Sequence, residues 1–438
     1  MKNSRTLLFI LAILGINTLS AQNPIIRDQF TADPTARVFE GRMYLFPSHD
    51  IIAPEGKGLR KDWFCMEDYH VFSSDNLTDW NDHGMIVTQT KVPWLTKINY
   101  DMWAPDCVFK NGKYYFYFPV GGRIGVATAD KPEGPYTVLD KPVAGTGGID
   151  PCVLIDKDGQ SYIFAAGGRI RVGKLKDNMV EVDGAVKTIA NLPTKGLIEG
   201  PFAFEHNGKY YLTYPHVENK IERLEYAMSD SAMGTYKQVG VIMDESASGC
   251  WTNHQSIVNF KGQWYLFYHD NDLSPKFDKN RSTKIDSLFF NADGTIRKVI
   301  PTHRGVGLTE ASKQIQIDRY TSISEKGVLV TYIDSAKTFD GWKTVFTVKD
   351  AWVKYNGVDF AKKKTKTIIV KAVSKTGGNL QLRLGSASGP IVAKIAIPKG
   401  EAWQTAKFRV KRLKSGIKNL VLSSADGNPV EVDWISFE

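Results

Sequence analysis

Apolar and polar positions alternate with a period of two along most of the chain, in short runs rich in Val, Ile, Tyr, Phe and Trp. Long stretches with the 3.6-residue period of an amphipathic helix are absent, so the pattern predicts strands throughout. One hairpin recurs. Glu40-Gly41-Arg42-Met43-Tyr44-Leu45-Phe46 returns as Asn111-Gly112-Lys113-Tyr114-Tyr115-Phe116-Tyr117, and again as Asp158-Gly159-Gln160-Ser161-Tyr162-Ile163-Phe164. Asn207-Gly208-Lys209-Tyr210-Tyr211-Leu212-Thr213 and Lys261-Gly262-Gln263-Trp264-Tyr265-Leu266-Phe267 complete the set. Gly stands second in each turn, where a type I′ hairpin needs positive φ. The turn glycines are 71, 47, 49 and 54 residues apart. A period near 50 with one hairpin per unit predicts propeller blades of four strands, and five copies predict five blades. The long first interval leaves room for an inserted loop, which carries Trp63, Phe64, His70, Trp80 and Trp94.

Each hairpin is preceded by a polar residue where its first strand begins. These are Asp33, Asp106, Asp150, Glu199 and His254, at eight, six, nine, nine and eight residues before the turn glycine. The innermost strands of a propeller run along its axis, so equivalent strand starts ring one mouth of the channel. Carboxyl groups converging there cannot all ionise freely, and their pKa values are pushed apart. One then donates a proton where another accepts it, which is what glycoside hydrolysis requires of two carboxyls. Asp106 reads equally well as a residue that caps neighbouring backbone at a strand start.

Composition changes this picture in two places. The 438 residues hold 56 Lys+Arg against 47 Asp+Glu, a formal charge of +9. From Ser312 onward there are 22 Lys+Arg and 11 Asp+Glu, so the surplus belongs to the C-terminal part and the rest of the chain sums to −2. A nucleic-acid partner is therefore not expected for the repeat region. At the N-terminus, Lys2 and Arg5 precede an apolar run from Leu7 to Leu14 and then small residues at Ser20 and Ala21. Residues 1–21 read as a secretory signal peptide, which makes the protein secreted or periplasmic. That run is too short to span a bilayer, and no transmembrane segment is expected. Cys65, Cys107, Cys152 and Cys250 have no CxxC spacing and read as buried apolar residues.

Within an expected propeller domain of residues 22–311, about residues 24–305 resemble the family 43 glycoside hydrolases, five-bladed β-propellers that cleave plant-polysaccharide side chains and oligosaccharides with inversion. The resemblance rests on Ala32-Asp33-Pro34, Trp103-Ala104-Pro105-Asp106, Ile149-Asp150-Pro151, Ile198-Glu199-Gly200-Pro201 and Asn253-His254-Gln255-Ser256. It implies Asp33 as general base, Asp150 as the residue that tunes and orients the acid, and Glu199 as general acid. Arg281 matches the family's substrate-binding arginine, and Trp103 a wall of its sugar pocket. Phe46 and Asp106 join them as substrate-binding candidates. The family uses no organic cofactor, and its fifth-blade histidine often holds a metal through water, which implies Ca2+ near His254. The family implies a polysaccharide or oligosaccharide as partner. The expected activity is exo-acting, α-L-arabinofuranosidase or β-xylosidase. An exo-β-galactanase and a non-catalytic carbohydrate-binding propeller are the alternatives.

Past Ser312 the repeat stops, and a new alternating region with turns at Thr376-Gly377-Gly378-Asn379 and Ala425-Asp426-Gly427-Asn428 predicts a β-sandwich over 312–438. Ala351-Trp352-Val353-Lys354-Tyr355, Leu380-Gln381-Leu382-Arg383-Leu384, Trp403-Gln404-Thr405 and Val432-Asp433-Trp434 resemble the family 6 carbohydrate-binding modules, which are jelly rolls. Trp403 matches an aromatic of that family's cleft. Glu431 stands where the sugar-binding members carry Asn.

Overall fold

The computed structural model describes residues 23–361 and 365–438. The expected signal peptide, residues 1–21, and the basic run Lys362-Lys363-Lys364 lie outside the described residues. Strands account for about half of the described residues, and the only helical elements among those residues are two single 3-10 turns.

Five antiparallel sheets follow one another between residues 32 and 288, four of four strands and one of three. Within each sheet the strands pair in chain order. The first strands, Ala32–Phe39, Asp106–Lys110, Ile149–Ile155, Phe202–His206 and Ser256–Phe260, lie side by side around the axis. This is the five-bladed propeller that the hairpin period predicts. The three-stranded fifth blade is completed from the other end of the domain. Ile25 N–H bonds Thr283 O at 2.9 Å and Thr31 N–H bonds Arg281 O at 2.9 Å, so residues 25–31 lie along its outermost strand, Ser282–Leu288.

The turns follow the sequence in four blades. Glu40, Asn111, Asn207 and Lys261 have φ of 50–52°, and the glycine after each lies at 77–85°. These are the two positive-φ positions of a type I′ turn. The third blade departs from this. Gly159 alone is left-handed, Gly159 N–H bonds Asp156 O at 2.8 Å, and Asp156 N–H bonds Gln160 O at 2.9 Å. That is a three-residue loop, in which one glycine suffices.

Every pair of neighbouring blades is tied near the axis by a bond from the start of one inner strand. Thr35 Oγ1 donates to Pro105 O at 2.6 Å. Val153 N–H donates to Asp106 Oδ2 at 2.6 Å, and Ala203 N–H reaches Cys152 Sγ at 3.3 Å. Gln255 Nε2 donates to Gly200 O at 2.9 Å, and Ala36 N–H donates to Ser256 Oγ at 2.9 Å, closing the ring. Apolar side chains fill the wedges between blades, and all four cysteines are buried and free.

The C-terminal region is a sandwich of two six-stranded sheets over its own apolar core. Its first strand, Thr309–Glu310, pairs in parallel with Val358 and Asp359. The first strand of the sandwich thus begins at Thr309, three residues before Ser312, past which the hairpin repeat stops. The two domains are in contact. Thr338 Oγ1 donates to Leu273 O at 2.5 Å, Tyr332 Oη donates to Asp272 O, and the Phe30 and Phe339 rings lie 5.0 Å apart.

Candidate active site

The pairing of the inner strands gives a common frame for the five strand starts. Thr35, Asp106, Cys152, Phe202 and Ser256 occupy equivalent positions, judged from their partners in the adjoining hairpin strand. Two residues earlier stand Asp33, Ala104, Asp150, Gly200 and His254. In four blades a proline follows that position. Asp33, Asp150 and Gly200 are left-handed there, with φ of 45°, 54° and 53°. A non-glycine residue before proline is pushed away from that region, so Asp33 and Asp150 sit in strained backbone that their surroundings enforce. Glu199 and Trp103 stand one residue earlier still, on the same rim.

These residues meet in one cavity of about 110 Å³ at the axis, lined by Asp33, Trp103, Asp150, Glu199, His254 and Arg281. Trp63 and Phe64, from the first-blade insertion, and Trp251 form a further wall. The Trp63 and Phe64 ring centroids are 5.0 Å apart, and Trp63 and Trp251 are 6.1 Å apart. Of the other insertion aromatics, Trp80 packs against Phe267 and Trp94 against the core of the first two blades.

Asp33 is surrounded by partners that favour its charge. Arg281 Nη1 donates to Asp33 Oδ1 at 2.8 Å, and Ser48 Oγ donates to Oδ2 at 2.5 Å. Burial alone would raise its pKa, but Arg281, the two nearby histidines and the Ser48 hydroxyl together outweigh burial and hold the carboxyl at about 2. Arg281 is in turn fixed by Asp50, which accepts from Nε and Nη2 at 2.9 Å. Asp33 N–H donates to His269 Nδ1 at 3.0 Å, and His269 Nε2 lies 3.0 Å from Thr252 O. Those bonds require a neutral imidazole with its proton on Nε2. Burial, helped by Arg281, holds His269 at about 3.

The opposite rim is different. Asp150 Oδ2 accepts from Gly200 N–H at 3.0 Å, and among the described residues no cation forms a salt bridge with Asp150. Burial, and then the charges of Glu199 and Asp33, push its pKa well above the ordinary range. Burial also raises Glu199, whose carboxyl is in hydrogen-bond contact with Glu222. Burial holds His254 neutral, at about 4.

Three sequence-based expectations are corrected here. Phe46 is fully buried in the core between the first two blades, 5.8 Å from the Phe116 ring, and does not reach the cavity. Asp106 is 1% exposed and paired with Arg37 at 2.6 Å, with its other bonds to Val153 N–H and Cys107 N–H. It ties blades together and is not a sugar contact. Arg281 lines the cavity, but its guanidinium is bound by Asp33, Asp50 and Thr252, so it orients a carboxylate and has little left to offer a sugar. Trp403 lies in the other domain, half-buried, with Lys371 Nζ 5.9 Å from its ring centre. His254 belongs to no group of three ligating side chains among the described residues. The one such group is His49, Asp68 and His70, on the first blade and outside the cavity.

Known proteins match this architecture in both parts. The family description "Glycosyl hydrolases family 43" matches residues 21–296, and "Carbohydrate binding module (family 6)" matches 314–438. The chain belongs to glycoside hydrolase family 43. A family 43 enzyme from Humicola insolens, Xylosidase/arabinosidase 43A, is 35% identical over 62% of this chain and 98% of its own length. An arabinoxylan arabinofuranohydrolase from Paenibacillus polymyxa is 27% identical over 95% of this chain and 74% of its own. Among solved structures, a β-xylosidase/α-arabinofuranosidase from a compost microbial metagenome, in complex with xylotriose and calcium-free, is 33% identical. It covers 64% of this chain and 98% of its own, with a TM-score of 0.58. The protein is thus a family 43 glycoside hydrolase, of the inverting class, carrying a family 6 carbohydrate-binding module.

Proposed function

We propose that the protein is an exported, exo-acting α-L-arabinofuranosidase or β-xylosidase that works on arabinoxylan or its oligosaccharides. Asp33 is the general base, Glu199 the general acid, and Asp150 the residue that orients the acid and helps keep it protonated. The observation that carries this reading is the asymmetry of one cavity. One rim holds a carboxyl that Arg281 and its neighbours keep readily ionised, and the other holds carboxyls whose pKa burial raises. Ionised Asp33 removes a proton from water as that water attacks the anomeric carbon. Glu199 gives its proton to the leaving oxygen as the glycosidic bond breaks. The names of the relatives support the choice of sugar, and the wall of Trp63, Phe64 and Trp251 supports exo action by closing one side of the site. A calcium ion near His254 would be held chiefly by water, because no second and third side-chain ligand join it there among the described residues.

Aryl α-L-arabinofuranosides and β-xylosides test the proposal, with NMR of the first-formed anomer. Cleavage with inversion is expected, reduced at least a hundredfold in Asp33→Asn on all substrates. Undiminished hydrolysis in both Asp33→Asn and Glu199→Gln would overturn the roles.

A further inference from the structure

Glu222 is a buried carboxyl that neither the sequence pattern nor the proposed mechanism uses. It opens the strand Glu222–Ser229, opposite Val217, and is 0% exposed. Its backbone N–H donates to Trp251 O at 3.0 Å, and Oε2 accepts from Asn253 N–H at 2.6 Å. The side chain is therefore fixed from the fifth blade while belonging to the fourth. Its second oxygen, Oε1, is buried and has no hydrogen-bond donor among the described residues. The carboxyl of Glu222 is in hydrogen-bond contact with the carboxyl of Glu199.

Two ionised carboxylates are acceptors only and cannot bond each other. A buried acceptor without a donor is costly, and two like charges in contact cost more. A single proton between the two groups removes both penalties. We propose that Glu199 and Glu222 share one proton, so that Glu222 is a positioning residue that keeps the acid loaded at neutral pH. The inference rests on Glu199 being the general acid.

The other charged groups around the pair do not replace that proton. Asp150 and Asp33 add negative potential, Arg281 is committed to Asp33 and Asp50, and His254 is neutral. On the strand of Glu222 itself, Arg223 is paired with Glu218 and Glu225, and Glu225 also binds His216. In the chemical step the O–H bond at Glu199 breaks, the leaving oxygen gains that proton, and both carboxyls are left anionic. Their repulsion then favours uptake of a proton from solvent, restoring the pair once the product leaves.

The test is the pH profile of kcat/KM for wild type, Glu222→Gln and Glu199→Gln. One substrate is a phenyl glycoside, whose leaving group needs a proton, and the other a dinitrophenyl glycoside, whose leaving group does not. In Glu222→Gln the side-chain amide keeps the Asn253 bond but contributes no charge, and its NH2 stabilises ionised Glu199. The basic limb on the phenyl glycoside is expected to fall by about one pH unit or more. KM should hold, since Glu222 does not line the cavity. A basic limb that stays in place in a folded Glu222→Gln overturns the proposal, because a carboxyl that is merely a neutral structural donor is mimicked by the amide. A basic limb that persists in Glu199→Gln overturns instead the reading of Glu199 as acid. A measurement on wild type stands apart from the folding of Glu222→Gln. With 13C-labelled glutamate, the Glu199 carboxyl signal, assigned by its loss in Glu199→Gln, should titrate in two coupled steps. A single step would overturn the shared proton.

Discussion

At the scale of the residue, the site works because two sets of carboxyls were given opposite surroundings. Asp33 has an arginine, a hydroxyl and a neutral histidine around it, whereas Asp150 and Glu199 have burial and each other. The carboxyls themselves could be read from the sequence, since each recurs at a fixed distance before a turn glycine. Their partners could not. Ser48, Asp50, His269 and Glu222 lie on the second and third strands of their blades, where the repeat carries no polar signature and only folding brings them to the axis. Ser48 offers a mild test. Ser48→Ala removes a donor to ionised Asp33, so Asp33 should ionise less readily and its pKa should rise from about 2. The acidic limb of kcat/KM is therefore expected to move to higher pH by roughly half to one unit, with the basic limb unchanged. Movement of the basic limb instead would mean that Ser48 acts on the acid. Arg281→Gln is the stronger form. It leaves Asp33 and Asp50 buried together without a cation, and it should lower kcat at least a hundredfold over the whole range while the acidic limb rises further.

At the scale of the element, the inner strand start has two jobs that sequence alone merges. The cavity is lined from just before the latch, by Asp33, Asp150 and His254 two residues before it and by Trp103 and Glu199 three before it. The latch position, Thr35, Asp106, Cys152 or Ser256 in four blades, ties one blade to the next. Asp106 shows how the two could have been separated. It lies six residues before its turn glycine, where the other four candidates lie eight or nine before theirs. Counting eight or nine back from Gly112 reaches Ala104 and Trp103, and Trp103 is the residue that lines the cavity. The spacing thus already marked Asp106 as out of register, and its acidic character hid that. Phe46 had no such marker, because strand alternation does not say which wedge a face fills. The latch role has a measurable consequence. Asp106→Ala strips Arg37 of its partner and leaves Val153 N–H without an acceptor. Breaking a largely buried ion pair from one side costs about 3 kcal/mol. Chemical denaturation should show a loss of that order, while KM of the remaining folded enzyme stays as in wild type. A raised KM with unchanged stability would return Asp106 to the sugar site.

At the scale of the whole molecule, the basic module is not a tethered passenger. Its charge surplus was legible from composition, and its fold from strand alternation, but its docking was not, because the contacts are made by single residues scattered over strand ends, a 3-10 turn and loops. Arg27, from the segment that completes the fifth blade, lies 5.8 Å from the centre of the Trp342 ring, and Arg319 lies 4.8 Å from the same ring. Trp342 is 6% exposed, and His303 and Tyr332 pack around it. On the propeller side, Lys284 bonds Asp272 at 2.7 Å, and Asp272 O accepts from Tyr332. The strand that Lys284 belongs to is the one closed by residues 25–31. The module therefore presses on the seam where the propeller ring is sealed. A single aromatic truncation there should be felt in both domains. Trp342→Ala removes a large buried ring, typically worth 3–5 kcal/mol in a core, and uncovers Arg27 and Arg319. In scanning calorimetry the wild type is expected to unfold in one transition, because opening either domain exposes this shared surface. The variant is expected to split that transition, with the module melting first and the propeller following at a lower temperature than in wild type. Two separate transitions already present in wild type, and unmoved by Trp342→Ala, would mean that the domains hold no stability in common.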